Sequence, residues 1–121
     1  MNKRNIILIG MPGAGKSSVG VILAKVLGYE FIDTDLVIQH REKRLLREII
    51  ADEGNEGFLA IENEVNATLE ADKSVIAPGG SAIYGKEAME HFKEIGTIVY
   101  LKLSYDCLLY TSPSPRDYAA S

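Results

Sequence analysis

One eight-residue stretch constrains this chain more than any other. Residues 10–17 have the sequence GMPGAGKS and match the pattern G-x-x-x-x-G-K-[ST] completely. The apolar run Asn5–Ile9 precedes the stretch, as is typical of a buried parallel strand. Behind it, apolar residues recur at the spacing that places them on one face of a helix: Val19, Ile22, Leu23, Val26 and Leu27. The sequence therefore predicts a phosphate-binding loop that joins a strand to the N-terminus of a helix.

The residue types in this loop suit the phosphates of a nucleotide. Gly10, Gly13 and Gly15 carry no Cβ atom, so backbone N–H groups can approach phosphate oxygens closely. The dipole of the following helix adds partial positive charge at the same place. We expect Lys16 to reach the outer phosphates and the Ser17 hydroxyl to bind Mg²⁺. The alternative is a tight glycine turn beside an exposed lysine.

Charge and composition limit the class of protein. Thirteen basic residues against seventeen acidic ones give a net charge of −4 over 121 residues, which disfavours a nucleic-acid footprint. A single cysteine cannot form a disulfide within the chain. The first apolar run is too short for a signal peptide, because Gly10 and Pro12 interrupt it. We expect a small, monomeric, cytoplasmic domain that has no nucleic-acid or membrane partner.

Predicted strands and helices alternate along the rest of the chain. We predict further strands at residues 29–33, 74–77 and 97–103, and helices at 36–51, 56–71 and 86–95. This alternation predicts an α/β fold, in which helices cover both faces of a parallel sheet.

Chemically suggestive residues follow each of the first three strands. The phosphate loop follows the first strand, Asp33 and Asp35 follow the second, and Gly79 and Gly80 follow the third. Open parallel sheets bind ligands at the carboxyl ends of their strands, so we expect the three groups to meet. On an extended chain the two acids would point the same way. One could support Mg²⁺ while the other holds or deprotonates a substrate hydroxyl; alternatively, the pair is only a helix N-cap.

The sequence resembles the shikimate kinase family over residues 5 to about 106. The resemblance rests on residues 10–20, 31–35, 54–62 and 75–81. It implies a three-layer P-loop kinase fold with a parallel sheet of strand order 2-3-1-4-5, in which the fifth strand is missing from this chain. It also implies ATP-dependent phosphorylation of a hydroxyl of shikimate.

The same resemblance implies roles for individual residues. ATP would contact the end of the loop and the start of the helix: Gly13, Ala14, Gly15, Lys16, Ser17 and Ser18. Mg²⁺ would be bound by Ser17 and supported by Asp33. The acceptor would contact Asp35, Gly79 and Gly80. The residues taking part in catalysis would be Lys16, Asp33 and Asp35.

Two residues depart from the family pattern at the acceptor site. Leu59 follows Phe58, where the family has an arginine that grips the substrate carboxylate, and Ser81 replaces a third glycine. Leucine cannot form the bidentate, charge-assisted pair that arginine forms. Two alternatives therefore stay open. One is a kinase for another small hydroxylated metabolite, such as gluconate or a nucleoside monophosphate, and the other is a nucleotide-binding module without transfer activity.

The last residues of the chain differ in character from the rest. Residues 107–121 have neither helical nor strand periodicity and contain two prolines, Pro113 and Pro115. Their codons can be written so that they resemble translated sequencing-adapter DNA. We therefore predict a partial kinase domain at residues 1–106 and an unstructured, artefactual tail at 107–121; a genuine Ser/Pro linker is the alternative. The family's lid and adenine-binding loop would lie beyond residue 106, so we expect the 121-residue chain to be inactive.

Overall fold

The computed structural model describes residues 4–10 and 14–101, which form four strands and four α-helices. The strands are β1 (Asn5–Ile9), β2 (Glu30–Asp33), β3 (Ser74–Ala77) and β4 (Gly96–Tyr100). The helices are α1 (Ala14–Leu27), α2 (Thr34–Glu42), α3 (Leu46–Ala67) and α4 (Lys86–Ile95), and a short 3₁₀ turn spans Ala82–Tyr84. No helix in this part of the chain is long and apolar enough to cross a bilayer.

All four strands are parallel and lie in the order β2-β3-β1-β4. This agrees with the first four strands of the predicted order. In β1, Ile7 and Ile9 face one side of the sheet and pack with Phe92 of α4. Leu8 faces the other side and packs with Ala24 of α1. Because alternate residues of β1 are buried on opposite faces, the sheet is the middle of three layers, as the α/β prediction requires.

Helix α1 is confirmed, but most of its predicted apolar stripe does not pack on the sheet; of that stripe, Leu23 is partly buried against Leu8 and Val75. Ile22 and Val26 are 61% and 76% exposed, whereas Gly20 and Ala24 are buried. A Cβ atom on Gly20 would stand 2.5 Å from Cε1 of Phe31, so the missing side chain allows the helix to approach β2 closely. The small residues therefore determine which face of α1 meets the sheet.

The single helix predicted at 36–51 is wrong, because the chain breaks between α2 and α3. Lys43 adopts a left-handed conformation with φ of 57° and ends α2. Glu48 then accepts a hydrogen bond from the Leu45 N–H, 2.8 Å away, at the start of α3. The predicted break near residues 52–55 is present only as a kink inside α3, where Gly54 has φ of 78°.

The end of the sheet opposite the carboxyl edge is held by one buried side chain. Asn5 donates from Nδ2 to the carbonyl oxygens of Ala71 and Ile95, each at 2.9 Å. Its Oδ1 accepts a hydrogen bond from the Ser74 N–H at 3.0 Å. The start of β1 is thereby joined to the start of β3 and the end of α4, and both polar atoms of the Asn5 side chain are hydrogen-bonded.

Candidate active site

A cavity of about 240 Å³ opens at the carboxyl ends of β1, β2 and β3. Its walls combine the start of α1, the acids after β2 and the turn after β3: Lys16, Ser17, Asp33, Asp35, Ala77, Pro78, Gly79 and Gly80. The three groups of residues that follow the strands in sequence therefore meet at one place, as the topology of an open parallel sheet predicts.

The remaining predicted nucleotide contacts lie at or beyond the rim of this cavity. Gly13 falls outside the described residues. Ala14 and Gly15 are the first residues of α1, so the N-terminal end of that helix is directed at the site. Ser18 lies outside this cavity. It lines a shallow, mostly apolar hollow on α1 together with Ser17, Val21 and Ile22.

Lys16 is the buried cation of the site. Only 6% of its surface is exposed, and burial lowers the pKa of its ammonium group, against the opposing effect of Asp35, Asp33 and Glu62. The lysine therefore faces several carboxylates in a poorly solvated place. A polyanion entering the cavity would therefore meet a largely buried positive charge.

The prediction that Asp33 and Asp35 lie together on an extended segment is wrong, because only Asp33 is extended. Asp33 ends β2 and is the N-cap of α2, where a side-chain oxygen accepts a hydrogen bond from the Asp35 N–H at 3.0 Å. Asp35 already belongs to the first turn of the helix. The N-cap interpretation is thus correct for Asp33, and both acids nevertheless line the cavity. Burial, followed by the charge of Asp33, raises the pKa of Asp35, while Lys16 lowers it.

Two oxygen-bearing side chains of the site could bind Mg²⁺ together with the phosphates of a bound nucleotide. Ser17 and Asp33 both line the cavity, and no group of three or more Asp, Glu, His or Cys side chains in the described residues could enclose a metal ion. Mg²⁺ is usually held by one or two protein oxygens together with waters and substrate phosphates, so Ser17 and Asp33 could hold it together with a bound nucleotide.

The two glycines after β3 differ in their surroundings. A Cβ atom on Gly79 would stand 2.9 Å from Oδ1 of Asp35 and 3.1 Å from Oε2 of Glu62. A Cβ atom on Gly80 would meet nothing within 4 Å. Gly79 therefore allows the turn to pack closely against two carboxylates, whereas a side chain at position 80 would project into open space.

Glu62 was not among the predicted site residues. It lies on α3, is 2% exposed, and accepts a hydrogen bond at Oε1 from the Ser81 hydroxyl at 2.6 Å. Burial raises the pKa of its carboxyl group, and the bond from Ser81 opposes that rise. A signal was present in the sequence: Glu62 and Asn66 share the helical face of the buried Val65. Polar residues on a buried face of a helix are unusual and point to a specific role.

A second cavity of about 300 Å³ adjoins Glu62 on the side of the 3₁₀ turn. Leu59 lines it, together with Ser81, Tyr84 and Lys86 among others. The position at which the family resemblance predicts an arginine therefore lies beside the predicted acceptor turn, and here it carries a leucine.

The phosphate-loop sequence, the parallel sheet and the cavity at its carboxyl edge place this chain in the P-loop α/β class of proteins. A model of the shikimate kinase family matches residues 12–112. The chain belongs to the shikimate kinase family. Shikimate kinase 2 of Yersinia enterocolitica is 38% identical over 105 residues, and that of Yersinia pseudotuberculosis is 37% identical over 101 residues. These alignments cover 87% and 84% of this chain, but only 60% and 58% of the relatives.

Solved structures of the family share the fold. Shikimate kinase from Acinetobacter baumannii in complex with shikimate superposes with a TM-score of 0.74 and 34% identity, over 93% of this chain and 64% of that one. The enzyme from Bacteroides thetaiotaomicron gives a TM-score of 0.73 and 32% identity, over 88% and 61%. The chain thus spans about 60% of the length of its relatives. The family match extends past residue 106, and the tail predicted at 107–121 lies outside the described residues, so that boundary stays a prediction.

Proposed function

We propose that the full-length protein is an ATP-dependent kinase that transfers the γ-phosphate of ATP to a hydroxyl of shikimate. The observation that carries this proposal is the meeting of Lys16, Asp35 and Gly79 around one cavity. Membership of the shikimate kinase family supports it, as does the relative from Acinetobacter baumannii that binds shikimate. The proposal concerns the full-length protein, because the present chain spans about 60% of the length of its relatives.

The phosphate side of the reaction falls to the start of α1. The N-terminal N–H groups of α1 and the Lys16 ammonium would donate to the β- and γ-phosphate oxygens. Ser17 and Asp33 would hold Mg²⁺, which supplies charge neutralisation of the phosphates when it is bound. Lys16 contributes most in the transition state, since its charge is already positioned and partly dehydrated.

The acceptor side falls to Asp35 and the turn after β3. Asp35 would accept the proton of the attacking hydroxyl, while the hydroxyl oxygen bonds to the γ-phosphorus. The bond from that phosphorus to the oxygen bridging the β-phosphate breaks, and ADP leaves. Gly79 and Gly80 allow the acceptor to approach the backbone of the turn, because no side chain projects from either residue.

Asp35→Asn tests this assignment, with Asp52→Asn as the matched control. Asp52 is an exposed aspartate that pairs with Arg44 and does not line the cavity. In Asp35→Asn, shikimate-dependent ADP release should fall by roughly 10²–10⁴-fold, because the amide cannot accept the proton. ATP affinity should stay within a few-fold, and Asp52→Asn should behave as wild type. Loss of ATP binding with unchanged use of shikimate would contradict the roles given to Asp33 and Asp35.

A second acceptor is favoured by one observation, the presence of Leu59 in the wall of the neighbouring cavity. Without an arginine there, a carboxylated acceptor has one cation fewer to bind. We therefore propose, as the alternative, a different small hydroxylated acceptor. ADP release by the full-length protein should be compared for shikimate, gluconate and nucleoside monophosphates. A higher kcat/KM for another acceptor would replace shikimate in the proposal.

A further inference from the structure

The hydrogen bond between Ser81 and Glu62 joins the acceptor turn to α3. Glu62 is almost completely buried, and the Ser81 hydroxyl is the donor to its Oε1. Its other oxygen, Oε2, has no hydrogen-bond partner among the residues that the structure describes. A buried carboxylate with so few donors is strongly affected by the loss of any one of them.

Because Ser81 directly follows Gly80, its hydrogen bond to Glu62 can fix the backbone positions of Gly79 and Gly80. Ser81 follows Gly80 and is the N-cap of the 3₁₀ turn, whose Tyr84 N–H donates to the Ser81 carbonyl at 3.1 Å. The Gly79 carbonyl accepts a hydrogen bond from the Ala82 N–H, also at 3.1 Å. Movement of Ser81 would therefore be transmitted through the backbone to Gly79 and Gly80.

The second carboxylate oxygen of Glu62 lies beside the turn, close to Gly79. Oε2 of Glu62 and Oδ1 of Asp35 both lie within 3.1 Å of the point where a Cβ on Gly79 would stand. Gly79 thus packs directly between the buried carboxylate and the proposed base. Leu59, which lines the same cavity as Ser81 and Glu62, has no donor that could replace the hydroxyl.

We propose that Ser81 is a positioning residue, whose hydrogen bond to Glu62 fixes Gly79 and Gly80 beside Asp35 and thereby sets the affinity for the acceptor. The claim about the acceptor rests on the proposed kinase function; the claim about the turn does not. Ser81 would act through Glu62 and the backbone, and it does not line the cavity that contains Lys16 and Ser17.

The kinetic test compares three variants of the full-length protein. In Ser81→Ala the KM for shikimate should rise roughly tenfold, since a hydrogen bond to a charged group is lost, while the KM for ATP stays within twofold. Ser81→Thr, which keeps a hydroxyl, should restore most of the affinity. Ser74→Ala is the control, because Ser74 also donates a hydrogen bond, to the Asp72 carbonyl, at the other end of β3. An unchanged shikimate KM in Ser81→Ala, or an equal rise in Ser74→Ala, would overturn the proposal.

A second readout does not depend on the acceptor. The Glu62 side-chain ¹³C resonance, followed by NMR against pH, should titrate at a higher pKa in Ser81→Ala, because the bond from Ser81 lowers the pKa of Glu62. Lys16 and Asp35 also act on that carboxyl group and are unchanged in the variant. Amide exchange at Gly79 and Gly80 should become faster. Unmoved titration and exchange would overturn the positioning role. The titration of Glu62 and the amide exchange could both change while the wild-type protein shows no shikimate-dependent turnover. That result would support the positioning role of Ser81 and refute the kinase proposal.

Discussion

Replacing Gly79 by alanine would place a methyl group between two carboxylates. The new Cβ would stand 2.9 Å from Oδ1 of Asp35, 3.1 Å from Oε2 of Glu62 and 3.6 Å from Cγ of Asp35. Favourable contacts of a carbon atom begin at about 3.5 Å, so Asp35, Glu62 or the turn itself must move by roughly half an ångström. Gly79 does not have a left-handed φ, so this clash, and not backbone strain, is what the substitution introduces.

The expected size of the effect follows from that displacement. Overpacking of a filled core costs about 1–3 kcal/mol, and we expect the low end of that range here, because Gly79 lines a cavity and the two nearest atoms are the ends of side chains. Because a misplacement of about 1 Å can reduce a rate by roughly 10²-fold, half that shift at Asp35 should lower shikimate-dependent kcat/KM by about tenfold or more. ATP affinity should change less, because the atoms nearest to the new methyl group belong to Asp35 and Glu62 and not to Lys16 or Ser17.

Urea unfolding and steady-state kinetics of the full-length protein measure these two effects. Gly80→Ala is the control for stability, since its added Cβ would meet no atom within 4 Å. Its free energy of unfolding should stay within about 0.5 kcal/mol of wild type. If Gly79→Ala unfolds at the same urea concentration as Gly80→Ala and keeps the wild-type KM for shikimate, Asp35 and Glu62 are not in contact with the turn and the reasoning fails.

Three further substitutions test other parts of the site. Lys16→Ala should lower ADP release by about 10²-fold or more with an unchanged circular dichroism spectrum. Lys25→Ala, at the other end of α1, should leave ADP release unchanged. Near-normal turnover in Lys16→Ala would refute the role of Lys16. Leu59→Arg should strengthen shikimate binding by about 1.5–3 kcal/mol in calorimetry, and unchanged affinity would point to another acceptor. Glu62→Gln should raise the melting temperature above wild type near pH 7–8, with the gain vanishing below about pH 4.5. The raised pKa of Glu62 means that its carboxylate destabilises the fold as pH rises through that pKa, so a pH-independent difference would contradict this explanation.

The site was predictable from sequence where its residues follow directly from local patterns. The phosphate loop, Asp33 with Asp35, and Gly79 with Gly80 each follow a short apolar strand, and parallel strands bring such positions to one edge. The sheet order of the first four strands followed from the family resemblance. The end of α2 was not predictable, because Lys43 takes a left-handed conformation that its residue type does not favour.

Two other features depend on tertiary contacts. Periodicity identified the apolar stripe of α1, but it could not show that Gly20 and Ala24 form the packed face, because that depends on the ring of Phe31. Glu62 was missed because a glutamate on a helix is normally solvated, although its place on the same helical face as Val65 was a signal. Its burial results from the turn that packs over it and from Ser81, which lies far along the sequence.

The position of β1 in the middle of the sheet has a consequence for synthesis on the ribosome. Ile7 pairs with Ile76 on one side and Ile98 on the other, so the first strand to be made is completed last. At about 5–20 residues per second, Ile7 waits roughly 3–14 s for the first partner strand to be translated. Asn5 likewise finds its acceptor at Ile95 only near the end of the described chain. Throughout that interval an apolar strand and the adjoining glycine loop have no sheet to join, and they are natural targets for a chaperone that binds nascent chains.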